Sequence, residues 1–500
     1  MSKIIKFAFL FLLIICIQET IFAGGIVTNT NQSASYARMH VRDASTEADA
    51  VYYNPAGLTF MPEGLFISIN NQSIFQTRKV TNDYTYLNAE EFDGKASAPL
   101  FPGVYAGYKT GDFVFSLGFN PVGGGGSAEW EKGLPSFQLP IADLVPSLGG
   151  PANASYSTDI FFEGTSVYWG IQGGVSYKIC DMISAFLGVR YNIAQNTYSG
   201  HMQNTTITMQ LPAPYSGPAD LFLKGVAAQY RAAEAQYRAA GLIDSAIKYD
   251  GLATGYENSA KLLGDQEAEV EQTGSGITPI IGFNFNLLDN TLNIGLKYEM
   301  NTGLKLKNKT TKDLATKYNI MLSGTDIVTV DSTTQFPDGE EKNADIPALL
   351  SVGASYKITK ELAVSAGFHY YFDQNANWDG LQDSLDGNSY EVGLGLEYAL
   401  SDDLLVSAGY LKSGNGCGNA YQTDLNHTLV SNSFAVGGKY KLMDQLALNI
   451  GFIYTMYVDG DKENSRFDPL QQKLVDANYT FSKTSTLFAI GFDYYLFSQK

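Results

Sequence analysis

From about residue 64 onward the chain repeats one pattern, in which segments of about 10–18 residues alternate apolar with small or polar side chains. A period of two is the mark of a strand. In 361–373, Leu362, Val364, Ala366, Phe368, Tyr370 and Phe372 share one face, and Ala363, Ser365, Gly367, His369, Tyr371 and Asp373 the other. In 291–300, Leu292, Ile294, Leu296, Tyr298 and Met300 oppose Asn293, Gly295, Lys297 and Glu299. In 186–197, Leu187, Val189, Tyr191 and Ile193 oppose Gly188, Arg190, Asn192 and Asn196. The apolar face of such strands meets either lipid, with a polar lumen inside, or the packed core of a soluble sandwich, and strand length, strand number and aromatic placement decide between them.

The segments come in pairs joined by short turns, at Thr110-Gly111-Asp112, Cys180-Asp181, Asp289-Asn290, near Thr359, at Ser401-Asp402 and at Met443-Asp444. Between pairs the connections are long and polar: 81–97, 122–161, 202–272, 310–343, 379–386, 415–427 and 461–482. Short turns at one end and long loops at the other are the signature of a transmembrane barrel. The segments predict about 14 strands, each long enough for the roughly 9–11 residues a tilted strand needs to cross a bilayer. Both termini then lie at the short-turn, periplasmic end. Tyr108, Tyr177, Tyr298, Tyr356, Tyr398 and Tyr440 sit near short-turn ends on the apolar face, where an interfacial girdle belongs. The last strand, Phe488–Phe497, ends almost at the C-terminus.

Composition sharpens this picture. The 500 residues include Gly 50, Tyr 32 and Phe 29, with 17% charged residues and a net charge of −18. That charge excludes nucleic acid as a partner, since a polyanion is repelled. Past the N-terminus no apolar run is long enough for a membrane helix. Residues 1–23 read as a secretory signal peptide, with Lys3 and Lys6 before the apolar run Phe7–Ile17, too short to span. Cys16 lacks the small preceding residues that lipoprotein processing needs. The two remaining cysteines, Cys180 and Cys417, either pair or stay free.

Two stretches depart from the strand pattern. Residues 24–62 precede the first strand. Residues 219–249 are helical, with a seven-residue near-repeat that places Tyr230 and Tyr237 on one face and Gly241 at an end or bend. That face either packs on the barrel rim or forms part of a lid. His40, His201, His369 and His427 show no metal-ligand spacing, Gly123–Gly126 lacks the Lys-Ser/Thr of a phosphate loop, and neither an enzyme site nor a cofactor is expected.

The N-terminal stretch carries a resemblance. Gly24-Gly25-Ile26, the acidic and Ala-rich Asp43–Ala50, and then Val51-Tyr52-Tyr53-Asn54-Pro55-Ala56-Gly57-Leu58 resemble the FadL/TodX family of outer-membrane transporters for long-chain fatty acids and other hydrophobic compounds. The resemblance implies an all-β fold: an antiparallel transmembrane β-barrel of about 14 strands with an N-terminal plug, or hatch, inside it. The organisation expected is a signal peptide (1–23), a hatch (24–62) and a barrel (63–500) with a helical insertion in the outer loop at about 202–272. The family implies passive uptake past a lipopolysaccharide leaflet that resists direct partition, by capture in an apolar groove among the outer loops, passage to a pocket in the lumen and lateral release into outer-membrane lipid through a gap at a kinked strand; a monomer is expected. Asn54, Pro55 and Ala56 match the hatch motif, which suits a sharp turn. Gly118, Asn120 and Pro121 are the candidate kink, because Pro cannot donate to the ladder and Gly weakens it. A substrate carboxylate needs a charge partner, for which Arg190, Lys297 and Lys439, on lumen faces by parity, are the candidates. Lys297 also has Glu299 beside it as an internal partner. Alternatives are a general diffusion porin and a surface adhesin or receptor. An energised siderophore-type receptor needs about 22 strands, more than this chain supplies.

Overall fold

A computed structural model describes residues 26–313, 320–323, 326–328 and 336–497. The signal peptide with Cys16, Gly24-Gly25 and part of the 310–343 connection lie outside the described residues. The wall is a closed antiparallel barrel of 14 strands. They are β1 (Gly64–Asn82), β2 (Glu91–Thr110), β3 (Phe113–Trp130), β4 (Ala154–Lys178), β5 (Ile183–Met209), β6 (Gln266–Leu287), β7 (Leu292–Glu299, resuming at Lys305–Lys312), β8 (Glu341–Asn343 and Leu349–Lys357), β9 (Leu362–Tyr371), β10 (Tyr390–Ala399), β11 (Leu404–Gly414), β12 (Ser431–Met443), β13 (Leu446–Tyr457) and β14 (Tyr479–Phe497). Closure comes from β1 and β14, paired without interruption from Gly64↔Phe497 to Asn82↔Tyr479.

Alternation places the faces as the sequence predicts. Leu187, Val189, Tyr191 and Ile193 are exposed on the outside, and so are Tyr108, Tyr177, Tyr356, Tyr398 and Tyr440 near the short turns. Arg190, Asn192, Asn196, His369 and Lys297 are buried on the inside. An outer belt this apolar is what lipid covers, so the barrel spans a membrane.

The strands run further than the alternation shows. The expected loop 81–97 is largely ladder, with Val80↔Phe92 and Thr81↔Glu91 still paired and β2 starting at Glu91. β3 continues into the expected 122–161 connection, which also contains two short helices, α3 (Pro135–Ala142) and α4 (Leu144–Ser147), and the start of β4. β5 reaches Met209 and β6 starts at Gln266, inside the expected 202–272 loop. The reason is physical: beyond the bilayer neither face of a strand has to be apolar, so the alternation fades while backbone pairing continues.

The helical insertion is a hairpin of α5 (Ala219–Ala239) and α6 (Ile243–Leu262), longer than the expected 219–249 helix. Gly241, at φ 74, makes the turn between them. The Tyr face does not meet the rim. Tyr230 stacks on Tyr256 at 5.4 Å and Tyr237 on Tyr249 at 4.9 Å, so it joins the two helices. Cys180 and Cys417 are free thiols.

Candidate functional site

The lumen holds the N-terminal segment. Between residues 26 and 62 it forms α1 (Ala34–Met39), α2 (Ala50–Tyr53) and a 3-10 turn, Pro55–Phe60, and almost all of it is buried. Ser33 caps α1, its Oγ accepting from Tyr36 N at 3.0 Å. Asn54, Pro55 and Ala56 lie together at the junction of α2 and the 3-10 turn. Asn54 Nδ2 donates to Ser45 O at 3.0 Å and to Asn284 Oδ1 of β6 at 2.7 Å. Pro55 O accepts from Ser176 Oγ of β4 at 2.6 Å, and Ala56 O from Ser184 Oγ of β5 at 2.7 Å. Pro55 opens the turn because it has no N–H to lose there. The triplet therefore pins the hatch to three adjacent strands.

The opposite wall accepts the hatch by removing its own side chains. Asp43, Met39, Arg38 and Ala37 lie directly on inward glycines of β7 to β13: Gly295, Gly353, Gly409, Gly437 and Gly451. A Cβ at Gly437 would come within 2.6 Å of Arg38 Cβ, and one at Gly451 within 2.6 Å of the Ala37 carbonyl carbon. Several are neighbours in the sheet, with Gly353 opposite both Gly295 and Gly367.

Ion pairs lock this seat. Arg38 pairs with Glu397 and bonds Ser407 and Asn449. Arg42 binds Asp49 at 2.8 Å and Glu47 at 2.5 Å, and Lys439 of β12 reaches Glu47 at 2.6 Å. His369 of β9 bridges Asp43 of the hatch at 2.7 Å and Glu391 of β10 at 2.8 Å. Arg190 of β5 meets Glu299 at 2.5 Å and Gln172 at 2.7 Å, while Lys297 meets Glu299 at 2.7 Å and the Tyr52 carbonyl at 2.8 Å. Both cations also sit over the Tyr52 ring. All three carboxylate-binding candidates thus point into the lumen and contact a wall or hatch carboxylate.

On one side the wall is broken. β3 pairs with β2 up to Phe119↔Val104 and again from Ser127↔Ser97, so 120–126 and 98–103 face each other without a ladder. Gly118 is still paired with Tyr105; Asn120 and Pro121 are paired only with β4, where the register slips twice before Ser166. Gly124 (φ 88) and Gly126 (φ 70) adopt a backbone that other residues resist. The β2 edge carries Pro99 and Pro102, which have no N–H to offer. Hatch residues fill the vacancy on the inside. Thr28 bridges Gly123, Asn29 N donates to Val122 O at 2.8 Å, and Asn29 Nδ2 to Gly124 O at 2.9 Å. Gln32 Nε2 donates to Pro121 O at 2.8 Å, and its carbonyl accepts from Tyr105 Oη at 2.8 Å. Leu100 projects from the break to the outside, 77% exposed.

Toward the long-loop end the lumen is lined by an apolar cluster including Tyr84, Phe92, Trp130, Leu139, Ile141, Phe162 and Phe481.

Neither the scan of protein families nor the search of curated proteins finds a match. Solved structures do match. A Pseudomonas aeruginosa FadL homologue is 12% identical with a TM-score of 0.58, covering 94% of this chain and 99% of that one. The P. putida toluene transporter TodX is 13% identical with a TM-score of 0.50, over 91% of this chain and 95% of that one. A TodX deltaS2S3 mutant, a monoaromatic hydrocarbon channel, reaches a TM-score of 0.53 at 13% identity, over 94% and 100%. This chain has the FadL/TodX fold.

Within that FadL/TodX-type barrel, Asn54, Pro55 and Ala56 lie in the lumen and Asn120 and Pro121 in the break between β2 and β3, while sequence reading missed the glycine seat, the prolines of β2 and the His369 bridge. The signal for the seat was present, since glycine recurs on the polar face of strand after strand. The β2 prolines lay in a segment where alternation had already faded. Among the described residues, no group of His, Cys, Asp or Glu is arranged to hold a metal ion.

Proposed function

We propose that this protein is a passive outer-membrane transporter that takes up long-chain fatty acids or similar hydrophobic compounds and releases them sideways through the barrel wall. The observation that carries the reading is the break between β2 and β3, stoppered from inside by residues 28–32. A lumen filled by a hatch supports a gated route over an open pore. An apolar mouth suits the cargo, because each CH₂ kept from water contributes about 0.8 kcal/mol. A sideways exit keeps the tail out of the aqueous space beyond. The fold shared with a FadL homologue and a toluene transporter agrees with this class of solute.

In this reading the cargo is caught among the outer loops, past the lipopolysaccharide leaflet, and meets the hatch. A carboxylate then competes with Glu299 and Glu47 for Arg190, Lys297 and Lys439, and the Asn54-Pro55-Ala56 turn sets how the hatch yields. As residues 28–32 withdraw, the gap at Gly118, Asn120 and Pro121 opens into lipid. The protein acts as a monomer, exported by a cleaved signal peptide, residues 1–23.

The test closes the wall. Replacing Pro99, Pro102 and Pro121 by Val and deleting Gly124 restores donors to the ladder and removes a bulge. In proteoliposomes, uptake of a fatty acid should stop while binding to the detergent-solubilised protein persists. Undiminished uptake through a wall shown to be continuous by hydrogen exchange would overturn lateral release.

A further inference from the structure

At the long-loop end of the apolar belt, one strip of the outer wall is basic. β7 resumes there as Lys305-Leu306-Lys307-Asn308-Lys309 and ends at Lys312. Leu306 and Asn308 are buried on the inside, while Lys305, Lys307 and Lys309 are exposed on the outside. On a chain with 33 Lys+Arg and a net charge of −18, a strand of eight residues with four lysines reverses the local sign. Lys305 to Lys309 covers about 13 Å of strand.

The pairing register fixes the neighbours of each lysine. Against β6, Lys312 is opposite Glu269, Lys309 opposite Glu271 and Lys307 opposite Thr273. Against β8, Lys307 is opposite Glu341 and Lys305 opposite Asn343. The acids of β6 answer the two upper lysines: Lys309 lies 3.3 Å from Glu271, and Lys312 pairs with Glu267. The two lower ones are left over. Among the described residues neither Lys305 nor Lys307 makes an ion pair, although Glu341 stands opposite Lys307. These two are also the closest to lipid. Below Thr273 the next outward residues of β6 are Ser275 and then Ile277, which is 59% exposed.

The apolar belt continues directly beneath. Ile277 is paired with Tyr191 of β5, and both are exposed, as is Met300 at the end of the lower half of β7. Cations above and bare apolar wall below, on one outward strip, match a molecule with an anionic head and acyl chains. A chain this acidic repels anions over most of its surface, so an anionic head gathers where the sign is reversed. Lysine suits the level, because its apolar stem lies along the wall while the ammonium stays among the head groups.

We propose that Lys305 and Lys307, with Lys309 beside them, form a docking site on the outer wall for the phosphorylated head of an outer-leaflet lipid, whose chains lie along Ile277, Tyr191 and Met300. The site faces the membrane and not the lumen, so it is independent of what the barrel carries. It lies on β6 to β8, away from the break between β2 and β3, and gives that side of the barrel a resident lipid.

The test titrates the intact mature protein in detergent with lipid A, with dephosphorylated lipid A and with inorganic phosphate, and reads bound lipid by native mass spectrometry. Lipid A should bind about 25-fold more tightly than its dephosphorylated form, at about fivefold for each of two lysines beside an anionic head. K305Q should lower that ratio about fivefold, and K305Q/K307Q should bring it toward one. K309Q should lower it only about twofold, since Lys309 already has Glu271. In 1 M salt, where charges are screened beyond about 3 Å, most of the ratio should vanish. K79Q is the control: Lys79 faces outward on β1 and pairs with Glu91, so the ratio should hold. All these side chains are on the outer surface, and heat-modifiable migration on gels shows that each variant is folded. Equal binding of the two forms of lipid A, or of neither, would overturn the site. A ratio unchanged in K305Q/K307Q would overturn it too. Displacement of lipid A by an equal concentration of inorganic phosphate would make this a plain anion site and overturn the lipid assignment.

Discussion

The hatch meets the barrel in two different ways. Against β7 to β13 its backbone lies on bare glycine backbone and is fixed by buried ion pairs, such as His369 between Asp43 and Glu391. Against β2 and β3 it contributes single hydrogen bonds to a ladder that is missing its own. The first contact leaves no room for rearrangement, because close-packed backbone atoms have nowhere to go. The second consists of individual bonds, each of small net value and exchangeable for water or for a passing ligand. A plug built this way has a fixed side and a releasable side, and motion is expected where the ladder is broken.

Predictions that break the fixed side should show the largest effects. Glu299→Gln removes the carboxylate shared by Arg190 and Lys297 and leaves two buried cations facing each other. The hatch around residues 50–57 should lose about 3–5 kcal/mol of local stability, read as faster hydrogen exchange there with the wall unchanged. Gly409→Val forces a side chain into the Met39 backbone. It should cost about 1–3 kcal/mol and displace the hatch, read as protease cleavage between residues 26 and 62 and as raised ion conductance in a planar bilayer. On the releasable side, Asn29→Ala and Gln32→Ala should each cost about 1 kcal/mol. The amide of residue 29 should then exchange about fivefold faster, with uptake unchanged or increased. The smallest effect belongs to Arg231, which ties α5 to α6 through Asp250 and Glu257 at the surface. Arg231→Ala should cost less than about 1 kcal/mol and leave uptake alone, measured in the same proteoliposomes. Equal responses on the two sides of the hatch would remove the distinction.

How much of this was legible in the sequence depended on where lipid lies. In 186–197 and 361–373 the bilayer demands an apolar face, so strand, face and lumen-directed residues such as Arg190 and His369 could be read by parity. Above the bilayer, the end of β5, with Gln203, Asn204, Thr205, Thr206 and Thr208, has polar residues on both faces and reads as loop. Pro121, which lies in the break between β2 and β3, stood out in the sequence because proline is a local signal. Partnerships were not local. Arg190, Lys297 and Lys439 were placed correctly in the lumen, but their hatch or wall contacts with Tyr52, Glu299 and Glu47 depend on how the hatch is seated. Gly241 marked the end of a helix; that a second helix would follow and take up the Tyr face needed the partner to be seen.

The glycine seat also bears on the order in which the molecule is made. Arg38 finds its anchors at Glu397 and Asn449, separations of 359 and 411 residues. The segment that fills the barrel is thus synthesised long before the strands that hold it, and the seam joining β1 to β14 needs the far end of the described chain. Loop closure over such spans is slow. Until the late strands arrive, residues 37–43 of the hatch have no surface to rest on. With a Cβ-free wall, it cannot be threaded in once the seam has zipped. Assembly must therefore gather the wall around the segment, which makes the hatch a template for the lumen as well as its occupant.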